Sequence, residues 1–298
     1  MKKILSSLLL AAVCFIIGCQ KEIILSQPPY TSRPSIQGLI EPDSIPIIYF
    51  NRTIPFFTGS TNTGSLVIRN AIVELTSVNG TDIFYLDSTY DRILCKYFYF
   101  YKGTTPILWN TTYNLSITDS VENYTATTTT AISPSTIDSI TYTSAFTDIY
   151  GEHEGVIVYL KDVPSQVNYY RYEMVRIITD STKYREINLS SYCIGLDTIT
   201  ITELGRSVYS DQNIDGQEII IIVEPAYSHY EGLETLVRIQ TIDKAAYDFY
   251  DQLDKQKLGI LNPFVEPTFL KDGQFGNKAI GFFGCKTHSP PLAFVFPE

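Results

Sequence analysis

The chain has 298 residues, 44% of them hydrophobic, and a formal net charge of −10 at pH 7. That length exceeds what one core usually holds and predicts two domains. The charge argues against a nucleic-acid partner, whose phosphates it would repel, and against electrostatic adhesion to anionic lipid.

Met1-Lys2-Lys3, an apolar run from Ile4 to Ile17, and then Gly18-Cys19 make up the parts of a bacterial secretory signal. The run is too short for a membrane span, which needs ~20 residues. A small residue directly before a cysteine resembles a lipoprotein signal, in which the thiol takes a diacylglycerol and the chain is cut in front of it. Gly18 is small and Val13, before Cys14, is not, so Cys19 is the expected lipidation site. Cleavage there leaves 280 residues and, with Lys2 and Lys3 lost, a charge of about −12. Two or three acyl chains on one residue anchor a protein in effect permanently. The expected address is the outer membrane through this lipid, with the cell surface and the periplasmic face both open.

Residues 19–35, with their Pro/Ser/Thr content, read as the lipidated end and a tether. From 36 to 133 the chain reads as strands, at 36–40, 45–51, 71–75, 81–86, 96–101 and 113–117. They are rich in β-branched and aromatic residues and separated by Gly/Asn/Asp/Pro turns, the pattern of an Ig-like or transthyretin-like β-sandwich. Val78-Asn79-Gly80-Thr81 predicts a hairpin, because Asn-Gly tolerates the positive backbone angles of a two-residue turn. The threonine-rich run 121–131 predicts the last strand of this domain, and Ser133-Pro134-Ser135 its end.

Residues 134–298 read as a second β-rich domain with strands at 137–142, 155–161, 168–179, 198–203, 217–224 and 234–241. One helix is expected near 243–257, capped by Asp243, with Ala246, Phe249, Tyr250 and Leu253 on one face. The tail from Leu261 reads as coil with short strands. The predicted class is therefore mainly β: a sandwich followed by a β-rich domain with one short helix.

Cys95, Cys193 and Cys285 have no zinc-type spacing, and any one bridge leaves a free thiol. Cys95, in an apolar run, reads as a small core residue. A Cys193–Cys285 bridge is open. His153, His229 and His288 read as surface-loop residues without the spacing of a zinc helix.

Asp211-Gln-Asn213-Ile-Asp215-Gly216 matches the opening of a calcium loop. The twelfth position is Ile222, not a bidentate glutamate, so the EF-hand reading fails and an Asx-rich turn into the next strand is preferred. A looser calcium turn on Asp211, Asn213 and Asp215 is the alternative, and no other cofactor is expected. Lys96-Tyr-Phe-Tyr-Phe-Tyr sets Tyr97, Tyr99 and Tyr101 on one face of a strand and Phe98 and Phe100 on the other. The Phe face is expected in the core. The Tyr face is a second packed surface, a protein interface, or a ligand-binding platform for stacking sugar rings.

Several segments in order, including Tyr49-Phe-Asn-Arg-Thr-Ile-Pro-Phe, Ile68-Arg-Asn-Ala-Ile-Val-Glu-Leu, Thr129-Thr-Ala-Ile-Ser-Pro, Asn262-Pro-Phe-Val-Glu-Pro and Gly281-Phe-Phe-Gly, resemble the DUF4249 family of Bacteroidota outer-membrane lipoproteins. The resemblance implies a lipoprotein encoded beside TonB-dependent transporters and carries over no catalytic residues. With no Gly-x-Ser-x-Gly elbow and no Cys/His signature, the expectation is a non-enzymatic binding or accessory component of such a transporter. A structural or adhesive surface protein is the second reading and a carbohydrate-processing enzyme the third.

Overall fold

The computed structural model describes residues 30–54, 63–148, 151–179, 181–184, 193, 198–261 and 270–297. The signal segment, Cys19 and most of the tether lie outside the described residues. Ser32–Glu298 forms one compact unit.

The first half supplies strands β1 (Pro34–Ile40), β2 (Ile47–Arg52), β3 (Ile72–Ser77), β4 (Gly80–Asp91), β5 (Lys96–Lys102), β6 (Thr112–Thr118) and β7 (Asn123–Thr129). They lie in the order β1-β2-β5-β4-β3-β6-β7. The period-2 alternation expected of strands decides what is buried: Ile36, Ile48, Phe50, Val73, Leu75, Leu115 and Ile117 all enter one core. β4 is long enough to serve both sides, its start pairing with β3 and its end with β5. The sheet folds over along it, and Phe50 meets Tyr124 of β7 edge-on with ring centroids 5.5 Å apart.

The β3–β4 hairpin forms where expected, with its turn one residue earlier. Ser77 pairs with Gly80 across Val78-Asn79, and the positive φ of 121° falls on Gly80. The residue without a Cβ takes the angle that would cost Asn79 more.

The second half holds β8 (Thr136–Asp148), β9 (Gly151–Lys161), β10 (Tyr169–Ile178), β11 (Ile199–Ser210), β12 (Glu218–Val223), β13 (Glu234–Ile242), β14 (Ile280–His288) and β15 (Leu292–Val295). β12-β9-β8 form a three-stranded sheet. Its inner residues, Val156, Val158 and Leu160, pack into a second core with Met174, Val237 and Ile239 from β10 and β13. Helix α1 (Lys244–Leu261) follows β13 directly. Asp243 caps it as expected, Oδ1 accepting from Ala246 N at 3.0 Å, while Oδ2 accepts from Thr128 Oγ1 at 2.8 Å and Cys285 N at 3.1 Å. Ala246 and Tyr250 are buried beneath the helix against Ile242 and Phe282.

In the tail, expected as coil with short strands, β15 is short but β14 is not. It runs parallel to β1 from Ser35↔Ile280 to Ile40↔Cys285 and meets the end of β13 through Gln240–Ile242. That places a nine-residue strand in the middle of the path β11-β10-β13-β14-β1. Phe283 and Cys285 face the first core and Phe282 faces the helix, so both sides are buried and there is no alternation to read. The cut at 133/134 falls between the two cores on the outward pass. The division 36–133 and 134–298 nevertheless fails at the end, because Phe275, Ala279, Phe283 and Cys285 return to complete the first core.

Cysteine pairing also differs from expectation. Cys95 is bridged to Cys193, with Cα atoms 5.6 Å apart, and Cys285 is buried and free. Cys95 is therefore not a core residue, and the Cys193–Cys285 alternative is excluded. The bridge sits at the tip of the β4–β5 hairpin, where Ile93 packs against the second core. This hairpin reaches out of its own sandwich and is fastened to the other half.

Candidate functional site

The expected tyrosine platform is split along its strand. Opposite residues of an antiparallel pair share a face, so Leu86↔Tyr101, Ser88↔Tyr99 and Tyr90↔Tyr97 line one side of the hairpin. Tyr101 is buried at the core end, its hydroxyl donating to Ile68 O at 2.7 Å, and it is removed from any surface platform. Toward the tip Tyr97 is exposed. Its ring lies 4.9 Å from Tyr90 and 6.4 Å from Tyr99, and the Arg69 guanidinium stands 4.6 Å over Tyr99. On the other face Phe100 is buried, while Phe98 is half-buried under Lys96 at 5.1 Å.

The acidic turn does not alternate its ligands as a calcium loop would. Asn213 sits exposed on the turn at φ 79°, and the carboxylates that gather within 4.8 Å are Asp162, Asp211 and Asp215. These three could hold a cation, but each is already an acceptor. Asp211 Oδ2 takes Asn168 N at 2.9 Å, Asp162 Oδ2 takes Gly216 N at 2.7 Å, and Asp215 Oδ1 takes Ser165 N at 2.8 Å. Asp162 Oδ1 also takes the Tyr170 hydroxyl. The cluster ties the β9–β10 connection to the turn before β12, the role of an Asx-rich turn.

His229 lies in the loop between β12 and β13, as expected, whereas His153 and His288 lie in strands. His153 lies within β9 and pairs with Glu224 at 3.0 Å. His229 stacks on Phe296 with ring centroids 4.1 Å apart. His288 ends β14 between two carboxylates, Nδ1 to Glu41 Oε1 at 2.5 Å and Nε2 to Glu173 Oε2 at 3.1 Å. Burial pushes its imidazole down, but the two carboxylate hydrogen bonds outweigh that and raise it. Burial likewise pushes Glu173 up, yet hydrogen bonds from His288 and Gln240 and the charge of Arg238 hold it down to about 2.

A site that the sequence did not announce lies where β11 bulges. Arg171 pairs with Val208 and Glu173 with Leu204, so Tyr172 alone faces Gly205, Arg206 and Ser207. Such a bulge bends a strand away from its partner and re-aims side chains. Gly205 lets the strands approach closely there, since a Cβ would stand 3.1 Å from the Tyr172 Cβ. The strand peels outward beside α1 and leaves a cavity of about 540 Å³. Tyr250, Asp254 and Lys257 line it from the helix, Arg171 and Tyr172 from β10, and the chain after β12 closes the far side.

The polar groups of this cavity are held in fixed positions. The Arg171 guanidinium stacks 4.0 Å over the Tyr250 ring while its Nε donates to Gly205 O at 3.0 Å. Ser207 Oγ donates to Asp254 Oδ2 at 2.8 Å, clamping the bulge to the helix. Glu203 faces buried Arg176 at 2.5 Å, an ion pair whose angle falls outside hydrogen-bond geometry, and also accepts from Ala226 N at 2.9 Å. The buried Tyr172 hydroxyl has no hydrogen-bond partner among the described residues. Sequence reasoning ended this strand at Glu203; the trace that marks the site is an isolated glycine inside a strand pattern.

No curated protein matches the chain at a significant level. A family model described as a domain of unknown function, DUF4249, matches residues 26–289, nearly all of the compact unit, and the chain belongs to that family.

Proposed function

We propose that the chain is a lipid-anchored outer-membrane protein that binds rather than catalyses, acting as an accessory component beside a TonB-dependent transporter. The observation that carries the binding reading is the cavity at the β11 bulge. Its size is that of a small-molecule site, and its carboxylates each have a neighbour, Glu203 facing Arg176, Glu224 facing His153 and Asp254 holding Ser207 through one oxygen while the other has no hydrogen-bond partner among the described residues. Those acids act as struts for the walls instead of a pair poised for acid-base chemistry.

The Cys95–Cys193 bridge supports the export half of the reading, because structural disulfides persist in oxidising compartments outside the cytoplasm. The transporter partnership follows from the family resemblance. Against the spacer reading stands the return of β14 into the first core, which makes one compact body instead of a string of independent modules.

Two measurements test the proposal together. Metabolic labelling with a clickable palmitate analogue should mark the chain and lose its target in Cys19→Ala. Extraction in mild detergent should bring a TonB-dependent transporter along with the tagged protein. An unlabelled chain that fractionates with soluble proteins, or a clean extraction without any transporter, refutes it.

A further inference from the structure

We infer that the uncovered half of the long sheet, centred on Leu236 of β13, is the surface through which two copies of this chain pair about a two-fold axis. The inference goes beyond the binding reading above and depends on neither the cavity nor the transporter. Its basis is a sheet face that turns apolar residues outward where water should meet polar ones.

Opposite residues of an antiparallel pair share a face, and faces alternate along a strand. Ile242 and Tyr169 stand opposite one another and both meet α1, Ile242 in the cluster beneath the helix and Tyr169 stacked on Tyr247. The same face therefore carries Val175 and Ile177 of β10, Leu204 of β11, Leu236 of β13, and Ala293 and Val295 of β15. Ile177, Leu204, Leu236 and Val295 are 51%, 45%, 38% and 52% exposed, and none of them belongs to any of the three buried clusters. A sheet with one wet face normally turns polar residues outward. A contiguous apolar patch on such a face marks a contact surface.

Shape and charge choose the occupant. Helix α1 stands on this same face as a layer ~10–12 Å thick, so it holds a flat bilayer off the patch beside it. A second sheet packs ~10 Å above the first and continues the layer that α1 begins. Charge then selects which sheet. Outward along β13 lie Glu234, Leu236 and Arg238, negative, apolar and positive in that order. An axis running across the strands reverses this row, setting Leu236 on the partner's Leu236 and Glu234 on the partner's Arg238. That is the self-complementarity a two-fold interface requires. Arg238 holds Glu173 and still keeps 33% of its side-chain surface exposed. Four strands ~4.8 Å apart and five residues of ~3.4 Å make a patch of roughly 20 by 17 Å. That is the small end of specific interfaces, so the dimer is transient and concentration-dependent.

The test is sedimentation equilibrium of the full chain in a density-matched mild detergent, with thiol cross-linking beside it. The wild type should show a monomer–dimer equilibrium that shifts with protein concentration. Leu236→Asp should weaken the dimer about tenfold or more, because it sets two charges together at the centre, and should leave the melting temperature within ~2 °C of wild type. Glu234→Gln should weaken it about threefold and Glu234→Arg further, since the new cation faces the partner's Arg238. A bis-thiol reagent of ~5–10 Å span, matched to the spacing of packed sheets, should link Leu236→Cys to its own kind. Val78→Cys, exposed on the β3–β4 turn, should link far less and so measures chance sharing of a micelle. The native thiol of Cys285 is buried.

A chain that stays monomeric at every concentration, or equal linking at positions 236 and 78, overturns the proposal. So does an unchanged equilibrium in Leu236→Asp; if that variant instead loses the co-extracted transporter, the face belongs to the transporter. Glu234→Arg pairing as tightly as wild type overturns the axis across the strands, and this exposed position carries the test if Leu236→Asp fails to fold.

Discussion

Replacing Cys95 and Cys193 together by serine removes a cross-link between positions 98 residues apart. A bridge restricts the unfolded chain in proportion to the logarithm of the loop it closes, and for a loop near this size the relation gives ~4.7 kcal/mol at 25 °C. Natural bridges deliver ~2–5 kcal/mol when removed, and here the loss also frees the Ile93 tip from the second core. An expected loss of about 3–4 kcal/mol is a large share of the ~5–15 kcal/mol that holds a typical domain. At ~2–4 °C per kcal/mol for a chain of this size, the melting temperature should drop by about 10 °C. Urea unfolding of wild type and double variant, without reductant, measures the difference directly. A non-reducing peptide map should join the Cys95 and Cys193 peptides and leave Cys285 alkylated only after unfolding. A Cys193–Cys285 peptide, or a change in stability below ~0.5 kcal/mol, would refute the reasoning.

The Glu41–His288–Glu173 bridge sets a pH optimum. His288 is raised on folding, so its contribution is complete below its ordinary value of 6.5 and is lost as pH climbs through the raised one. Glu173 is lowered from 4.5 to about 2, so its contribution is complete above 4.5 and is lost as pH falls toward 2. The melting temperature should peak between those limits, and His288→Gln should flatten the alkaline side; an unchanged alkaline limb counts against the bridge. Asp243→Ala removes a helix cap and leaves Thr128 Oγ1 and Cys285 N without their acceptor. Urea titration should show a loss of ~2–4 kcal/mol, and Asp243→Asn should recover only part of it, because its NH2 turns one acceptor into a donor facing Ala246 N or Cys285 N. Tyr101→Ala should cost ~3–5 kcal/mol as a core truncation, whereas Tyr97→Ala at the exposed tip should stay within ~0.5 kcal/mol. Similar losses for the two would mean that the tip is packed.

The strands were legible wherever one face meets water. β3, β6, the first half of β13 and the start of β11 alternate buried residues with more exposed ones, and that alternation is written in the residue types themselves. β14 escaped because it is covered on both sides, by the first core and by α1, so Phe282-Phe283-Gly284-Cys285 has no polar face. The helix was readable from Asp243 and from the spacing of Ala246 and Tyr250. The candidate site was not, because it depends on pairing: a three-for-one mismatch opposite Tyr172 exists only once β10 and β11 are side by side. The Cys95–Cys193 pairing likewise needed the hairpin tip brought across to residue 193. The tyrosines of β5 do share one face, as their alternation requires. How deep each ring lies depends on distance from the core along β5, which periodicity does not encode.

The parallel seam between β1 and β14 sets an order of events. β1 leaves the ribosome among the first residues of the compact unit, and its neighbour is made almost 250 residues later. An exported chain emerges N-terminus first, so the N-terminal core waits for almost the whole chain with one strand edge and the Phe283 position unfilled. Folding is therefore gated by completion of the chain, and the half-made sandwich is the species that chaperones must shield. Any premature stop before Ile280 yields a product that cannot close its first core at all.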